Sequence, residues 1–229
     1  MYQGKPAILS IARDITERKE AQDRLQRTLE NLRKAISTTV QVMVSAVEIR
    51  DPYTAGHQAR VADLARTIAM EMELPHETIE GIWMAGSIHD IGKLSVPAEI
   101  LAKPGRLTTF ELSMIQEHPR KGYEILKNVE SPWPLAEVVY QHHERINGSG
   151  YPRSLNGARI LIESRILAVA DVVEAMASHR PYRSALESNA ALNEIGKNRN
   201  ILYDPEVVDA CLRVFREKEY YFQQGYAAP

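Results

Sequence analysis

The sequence is poor in cysteine and has no long apolar run. Cys211 is the only cysteine, so an intrachain disulfide is excluded, and so is a metal site built from several thiolates. No stretch reaches the ~20 apolar residues of a membrane-spanning helix, because the longest candidate, 166–173, is interrupted by Asp171. No signal peptide is recognisable. We therefore expect a cytoplasmic location and no membrane segment in this chain, while an anchor further upstream stays open.

An excess of charge of either sign is also missing. The net charge is −2 at pH 7 and the isoelectric point is about 6.4. This balance excludes a general electrostatic attraction to duplex nucleic acid or to an anionic membrane, so any bound nucleotide must be held by local contacts. The 229 residues can bury a sizeable core, and this length predicts one main domain with an appendage.

The N-terminal segment reads as the end of a larger structure. Residues 6–12 have the pattern of a short strand, and an isolated strand is unstable in water, so its sheet must be supplied elsewhere. The following residues, 13–19, resemble the exit of PAS sensor domains, where the last strand runs into a linker helix. We therefore interpret 1–16 as the C-terminal remnant of an upstream PAS-like sensor domain.

A long helix is predicted over 17–50, because this segment contains neither proline nor glycine. Apolar residues recur along it at steps of three and four and form a near-heptad seam of Leu25, Leu29, Leu32, Ile36, Val40, Met43 and Val47. Such a seam fits either a parallel coiled coil that carries a signal or an amphipathic helix packed on its own domain. Both can hold, because the first half is the more polar. We interpret 17–50 as a signalling linker helix and expect a homodimer through it.

Beyond residue 51 the pattern is helical almost throughout, with few alternating β-branched runs, and it predicts an all-α bundle. Thr108 and Glu111 have the spacing of a capping box at the start of one helix. The predicted helices are 54–72, 76–89, 109–127, 134–143, 164–177, 188–197 and 205–219.

Five of the seven histidines fall in a pattern with acidic residues that is typical of a metal site. Neutral imidazoles and a carboxylate that can bridge two ions suit a cluster of divalent metals. The pattern comprises His57, the pair His89 and Asp90, His118, the pair His142 and His143, and Asp171. Asp171 lies on a nearly all-apolar helix, where a lone carboxylate is costly to bury unless it is paired or metal-bound. Glu174 is close enough in sequence to join it as an outer ligand.

Two further features suit a phosphate ester. Lys93 follows Asp90 by one turn and offers a fixed cation for a phosphate oxygen. The pair His142 and His143 leads directly into a glycine-rich turn at 147–152, where the backbone can approach a ligand closely.

Together these motifs resemble the HD-GYP phosphodiesterases, a branch of the HD metal-dependent phosphohydrolases. The resemblance runs from about residue 46 to residue 208, and the order and spacing of the motifs agree throughout. It rests on Arg-Asp-Pro-Tyr-Thr-Ala-Gly-His at 50–57, His-Asp-Ile-Gly-Lys at 89–93, His-Pro at 118–119, His-His-Glu at 142–144, Gly-Tyr-Pro at 150–152, Asp171 and Arg-Pro-Tyr-Arg at 180–183. It implies an HD-type helical bundle after the linker helix, with 51–220 as the catalytic domain and 221–229 as a disordered tail.

The resemblance also implies roles for residues at matching positions. Lys93 and Asp90 are implied in catalysis. The implied metal ligands are His57, His89, Asp90, His118, His142, His143 and Asp171. The implied substrate contacts are Lys93, Tyr151, Arg180 and Arg183. The implied partners are cyclic di-GMP and a GGDEF-type cyclase.

Two departures from the family pattern shape these expectations. Tyr53 stands where some relatives carry a glutamate that binds a third metal, so we expect two divalent ions, iron or manganese. Ile146 and Asn147 replace an aromatic residue and an acid in the turn. Asn147 either keeps the turn and loses only a charge, or removes a carboxylate that orients a ligand.

The resemblance thus predicts a metal-dependent phosphodiesterase of bacterial second-messenger signalling. It would open cyclic di-GMP to the linear dinucleotide, with GMP as a further product. Two alternatives stay open. One is a catalytically weak module that senses the dinucleotide or docks onto a partner, and the other is an HD phosphohydrolase acting on another cyclic dinucleotide or phosphate ester.

Overall fold

The computed structural model describes residues 14–51, 56–177, 188–218 and 220–222. The all-α prediction is confirmed, because these ranges form helices joined by short turns, and their only β-pairing is two isolated bridges. The α-helices are α1 (Thr16–Arg50), α2 (His57–Glu71), α3 (His76–Ile88), α4 (Ala98–Leu101), α5 (Thr109–Gln116), α6 (His118–Leu126), α7 (Leu135–Gln141), α8 (Ile162–Ala177), α9 (Ser188–Lys197) and α10 (Pro205–Glu217). Two short 3-10 helices, Ile91–Ser95 and Gly157–Arg159, lie between them.

The chain divides into two compact units, Met1–Gln41 and Val42–Pro229, and α1 runs through the boundary. In the first unit the apolar seam faces solvent: Leu25, Leu29, Leu32 and Ile36 are 61%, 46%, 56% and 46% exposed. None of the described helices combines the length and the apolar character needed to cross a membrane.

The core of the second unit is built on α2, α3 and α8, which pack against one another. Apolar residues of α2 recur every three or four positions, so Val61, Leu64 and Ile68 fall on one buried face. Helix α8 is buried along most of its length because it is apolar nearly all round. Gly86 of α3 allows α2 to approach closely, since an added Cβ would lie 2.9 Å from Cα of Ala62.

The predicted helix 109–127 is wrong in one respect, because the segment forms two helices, α5 and α6, with a break at Glu117. Pro119 explains the break, since proline lacks an N–H and fits only the first turn of a helix. The capping box of Thr108 and Glu111 is present at the start of α5. The break places His118 at the beginning of a helix rather than in the middle of one.

The other described helix boundaries agree with the predicted ones to within two residues. Helix α4 and the two 3-10 helices were not predicted, because segments of three to five residues are too short to show a helical period. The predicted strand at 6–12, the start of a helix at Thr54, the end of a helix at Glu219 and the tail beyond residue 222 lie outside the described residues.

Candidate metal centre

The imidazoles of the sequence pattern meet at the ends of helices. His57 and His118 are the first residues of α2 and α6, and His89 and His142 directly follow α3 and α7. Asp171 lies within α8. The five histidine rings, including His143, lie together with neighbouring ring centroids 4.1–5.5 Å apart.

Three of these rings are oriented by local hydrogen bonds to the end of the helix that precedes them in the chain. Nδ1 of His89, His118 and His142 donates to the carbonyl oxygen three residues earlier, at 2.7, 2.8 and 2.6 Å. A carbonyl only accepts, so Nδ1 carries the proton and Nε2 keeps its lone pair. This is the tautomer of a metal-ligating histidine whose second nitrogen is fixed by a backbone carbonyl.

Two of the Nε2 lone pairs face each other, since Nε2 of His118 lies 3.2 Å from Nε2 of His142. Burial lowers the pKa of His118 to about 4. Burial and the neighbouring His89 lower the pKa of His142 to about 3. Neither ring therefore takes up a second proton at neutral pH. The two lone pairs repel each other at this distance, and a cation between them removes the repulsion, so these residues fit a metal ion.

The potential ligands form two groups of three that share no member. Within each group one ligand atom from every residue lies within 4.8 Å of the others. One group is His57, His89 and Asp171, and the other is His118, His142 and His143. A third group overlaps both and consists of His89, Asp90 and His142.

Asp90 reaches from the first group to the second. Its Oδ2 lies 3.6 Å from Nε2 of His89, and its Oδ1 lies 3.3 Å from Nε2 of His118. Burial raises the pKa of this carboxyl, but Lys93 and the surrounding imidazoles outweigh burial and hold the pKa well below its usual value. The carboxylate is therefore ionised and can bridge cations held by the two groups.

Asp171 spans the same two groups from the opposite helix. Its Oδ1 lies 3.2 Å from Nε2 of His57, and its Oδ2 lies 4.0 Å from Nδ1 of His143. Burial again raises the pKa, and the hydrogen bond and charge of His57 lower it well below the usual value. Two ionised carboxylates thus connect the two histidine groups, which explains why a largely buried acid is tolerated on the apolar helix α8.

His57 is held from behind by Glu174, which accepts a hydrogen bond from its Nδ1. Arg60 in turn donates to the other oxygen of Glu174 at 2.7 Å. Burial lowers the pKa of His57, but its hydrogen bonds to Asp171 and Glu174 outweigh burial and raise the pKa to about 9. The proton that faces Asp171 at neutral pH occupies the position in which a metal ion would bind.

Lys93 lies between two carboxylates. Its Nζ is 2.8 Å from Oδ2 of Asp90 and 3.1 Å from Oδ2 of Asp51. Burial lowers the pKa of Lys93, but the two carboxylates outweigh burial and raise it above the usual value, so the side chain stays cationic. The sequence pattern placed Lys93 at the site but gave Asp51 no role. The available signal was a charged residue directly after the long helix, in the segment before His57.

Tyr151 stacks on His143, with the ring centroids 4.8 Å apart and the planes at 30°. Burial and the charge of Asp171 raise the pKa of the Tyr151 phenol, which therefore stays protonated and can donate a hydrogen bond. The remaining expected substrate contacts, Arg180 and Arg183, lie outside the described residues, as does Tyr53.

Asn147 is exposed and supports the turn. Its Oδ1 accepts hydrogen bonds from the backbone N–H of Ser149 at 3.0 Å and from the Ser149 hydroxyl at 2.7 Å. An aspartate would accept the same two bonds. This arrangement favours the interpretation in which Asn147 keeps the turn and loses only a charge.

A family model described as HD domain matches residues 41–207, which is more than half of the chain. The chain belongs to the HD domain family and is of the HD-GYP type. Among curated relatives of this HD domain, the cyclic di-GMP phosphodiesterase response regulator RpfG of Xanthomonas campestris is 38% identical over 194 residues, covering 84% of this chain and 51% of RpfG. The 3'3'-cGAMP-specific phosphodiesterase 1 of Vibrio cholerae is 37% identical over 190 residues, covering 81% of this chain and 43% of that protein.

The chain therefore spans about half the length of these curated relatives. Among solved structures, the HD domain of the L. monocytogenes phosphodiesterase PgpH is similar with a TM-score of 0.56 and 18% sequence identity. The match covers 78% of this chain and 99% of that chain. At this identity the similarity shows the fold, which confirms the predicted HD-type bundle.

Proposed function

We propose that this HD domain is a metal-dependent phosphodiesterase that opens cyclic di-GMP to the linear dinucleotide. The observation that carries the proposal is the pair of histidine groups connected by Asp90 and Asp171, in an HD domain whose relatives are named cyclic dinucleotide phosphodiesterases. Five imidazoles and two carboxylates are the donor set that suits Fe(II), Mn(II) or a similar ion.

Two ions fit this ligand set, one for each histidine group. His57, His89 and Asp171 would hold the first, and His118, His142 and His143 would hold the second, with Asp90 shared. When bound, such a pair would lower the pKa of a water between them and stabilise in-line attack on phosphorus.

The remaining polar residues suit the substrate's phosphate. Lys93 keeps its charge beside Asp90 and supplies a fixed cation. The protonated Tyr151 supplies a hydrogen-bond donor beside His143. Arg180 and Arg183 are proposed to balance the rest of the phosphate charge, because guanidinium groups bind phosphate oxygens in pairs.

A second substrate is favoured by one specific observation. A relative 37% identical over 190 residues is named a 3'3'-cGAMP-specific phosphodiesterase. We therefore propose the mixed cyclic dinucleotide 3'3'-cGAMP as the second candidate substrate.

The decisive test is a substrate panel with product analysis. The metal-loaded protein would be incubated with cyclic di-GMP, 3'3'-cGAMP and cyclic di-AMP, and the products would be separated by chromatography. We expect the linear dinucleotide of cyclic di-GMP first, and loss of product in an Asp90→Ala variant that keeps its helical circular dichroism. Binding without product over a long incubation would instead identify a dinucleotide-sensing module, and unchanged turnover in the variant would refute the assignment of Asp90.

The exposed seam on α1 supports a homodimer as the working form. Leu25, Leu29 and Leu32 are about half exposed at near-heptad spacing, and a parallel partner helix would bury them. Sedimentation should show a dimer that Leu29→Lys dissociates, and a wild-type monomer at high concentration would exclude it. A GGDEF-type cyclase is a further proposed partner, which co-purification with such a domain would test.

A further inference from the structure

Glu144 follows the ligand pair directly, yet it belongs to none of the metal-capable groups among the described residues. It is 2% exposed, so its carboxylate is withdrawn from solvent. Its Oε1 accepts from the backbone N–H of Arg153 and its Oε2 from that of Leu155, both at 2.8 Å. A buried carboxylate is retained only where its charge is satisfied, and here two backbone donors of one loop contribute to that.

These two bonds hold the loop that contains Tyr151 close to His142 and His143. The N–H of Tyr151 donates to the carbonyl oxygen of His143 at 3.3 Å, and the loop passes so close that only glycine fits at Gly150. A Cβ there would lie 2.5 Å from both the His143 oxygen and Cα of Glu144. The Tyr151 ring is thereby stacked on His143 at 4.8 Å.

The side chain of Arg153 fixes the outer edge of the same loop. Its guanidinium lies 4.4 Å from the centroid of the Tyr140 ring and pairs with Glu137 at 2.7 Å. These are partly exposed contacts of a side chain, whereas Glu144 binds the backbone itself. Glu144 therefore fixes the backbone that directly follows Pro152, beginning two residues after Tyr151.

We propose that Glu144 is a positioning residue that holds Tyr151 against His143 and so sets the affinity for the dinucleotide. The substrate half of this inference rests on the proposed function. In Glu144→Gln one oxygen can still accept, but the amide NH₂ faces the second backbone N–H, so donor meets donor and the loop is released.

The placement of Tyr151 can be measured without turnover. The protein would be labelled with 3-fluorotyrosine and loaded with diamagnetic Zn²⁺, and the Tyr151 resonance would be assigned by its loss in Tyr151→Phe. We expect this resonance to move toward the position of solvent-exposed fluorotyrosine in Glu144→Gln, with metal content unchanged. Glu137→Gln is the matched control, because it changes only contacts to the side chains of Arg153 and Gln141 and leaves the bonds of Glu144 to the loop backbone intact, so it should leave the resonance in place.

The kinetic arm uses the catalytic metal and cyclic di-GMP. Glu144→Gln should raise KM about tenfold and leave kcat within about threefold, because it removes binding rather than chemistry. In a Tyr151→Ala background the same substitution should change KM by less than about twofold, since residues that act through one another are not additive. If Glu144→Gln does not fold, Glu144→Asp, which withdraws the carboxylate by one methylene, takes its place with a smaller effect in the same direction.

An unmoved Tyr151 resonance in a folded Glu144 variant would overturn the proposal. So would loss of metal, or a full effect on KM in the Tyr151→Ala background, because Glu144 would then act on the metal ligands directly. If the wild-type protein hydrolyses no cyclic dinucleotide, the proposed function fails, and the fluorine resonance still decides whether Glu144 positions Tyr151.

Discussion

Replacing Gly92 with alanine should separate His118 from Asp90. A Cβ at position 92 would lie 1.9 Å from the carbonyl oxygen of His118 and 2.5 Å from the backbone nitrogen of Gly122. Both are backbone atoms that cannot rotate away. Helix α6 would therefore have to move by about 1.5 Å to reach ordinary van der Waals separation.

This displacement of α6 determines the expected losses of stability and of metal affinity. Overpacking usually costs about 1–3 kcal/mol of unfolding free energy, and we expect the upper part of this range because no flexible side chain can adapt. Metal sites tolerate errors of only about 0.2 Å in ligand distance, so the ion held by the His118 group should bind at least about tenfold more weakly. The 3.3 Å approach of Asp90 to His118 would be lost in the same movement.

Urea unfolding and elemental metal analysis on the same preparations measure both effects. Gly196→Ala is the matched control, because among the described residues a Cβ at that position would have no atom within 4 Å outside the backbone of α9 itself. It should be neutral or stabilise the protein by up to about 1 kcal/mol, the helix preference of alanine over glycine. A Gly92→Ala protein with wild-type stability and full metal content would refute the close packing of α6 on the turn after Asp90.

Three further outcomes are expected. Glu174→Gln should weaken metal affinity by about 10–100-fold, because it weakens the contact that orients His57. A competition with a chelator measures this affinity, and a change below about threefold would contradict the role of Glu174. Asn147→Asp should leave turnover within about twofold, because aspartate accepts the same bonds from Ser149; a gain of tenfold or more would show that a ligand-orienting carboxylate is missing. Because the pKa of His57 is raised to about 9, metal uptake at pH 7 should release close to one proton from this ring and tighten as the pH rises toward 9. Calorimetry in two buffers of different ionisation enthalpy measures that proton, and its absence would exclude His57 as a ligand.

The sequence was most informative for residues whose side-chain type itself indicates a chemical role, such as metal binding. The imidazoles and Asp171 could be predicted together because few other roles use those residue types in that order. The roles of Asp51 and Glu144 could not be predicted. Asp51 pairs with a lysine 42 residues away, and Glu144 binds the backbone of a loop, so neither contact can be recognised from the types of neighbouring residues. The break before His118 had a signal in Pro119, but apolar residues continue at helical spacing across it and conceal it.

The orientation of His118 and His142 depends on the carbonyl oxygens of Ile115 and Val139, not on their side chains. A side-chain substitution at either position leaves the backbone carbonyl in place. A mutational scan would therefore not detect the two groups that orient these imidazoles. Both hydrogen bonds span three residues, so these two orientations need no contact with a distant segment. Asp171, in the middle of α8, and His57, at the start of α2, meet their partners only across the tertiary fold. A metal ion bound at the proposed centre would therefore stabilise the tertiary packing of α2 and α8, since its binding free energy adds to that of folding.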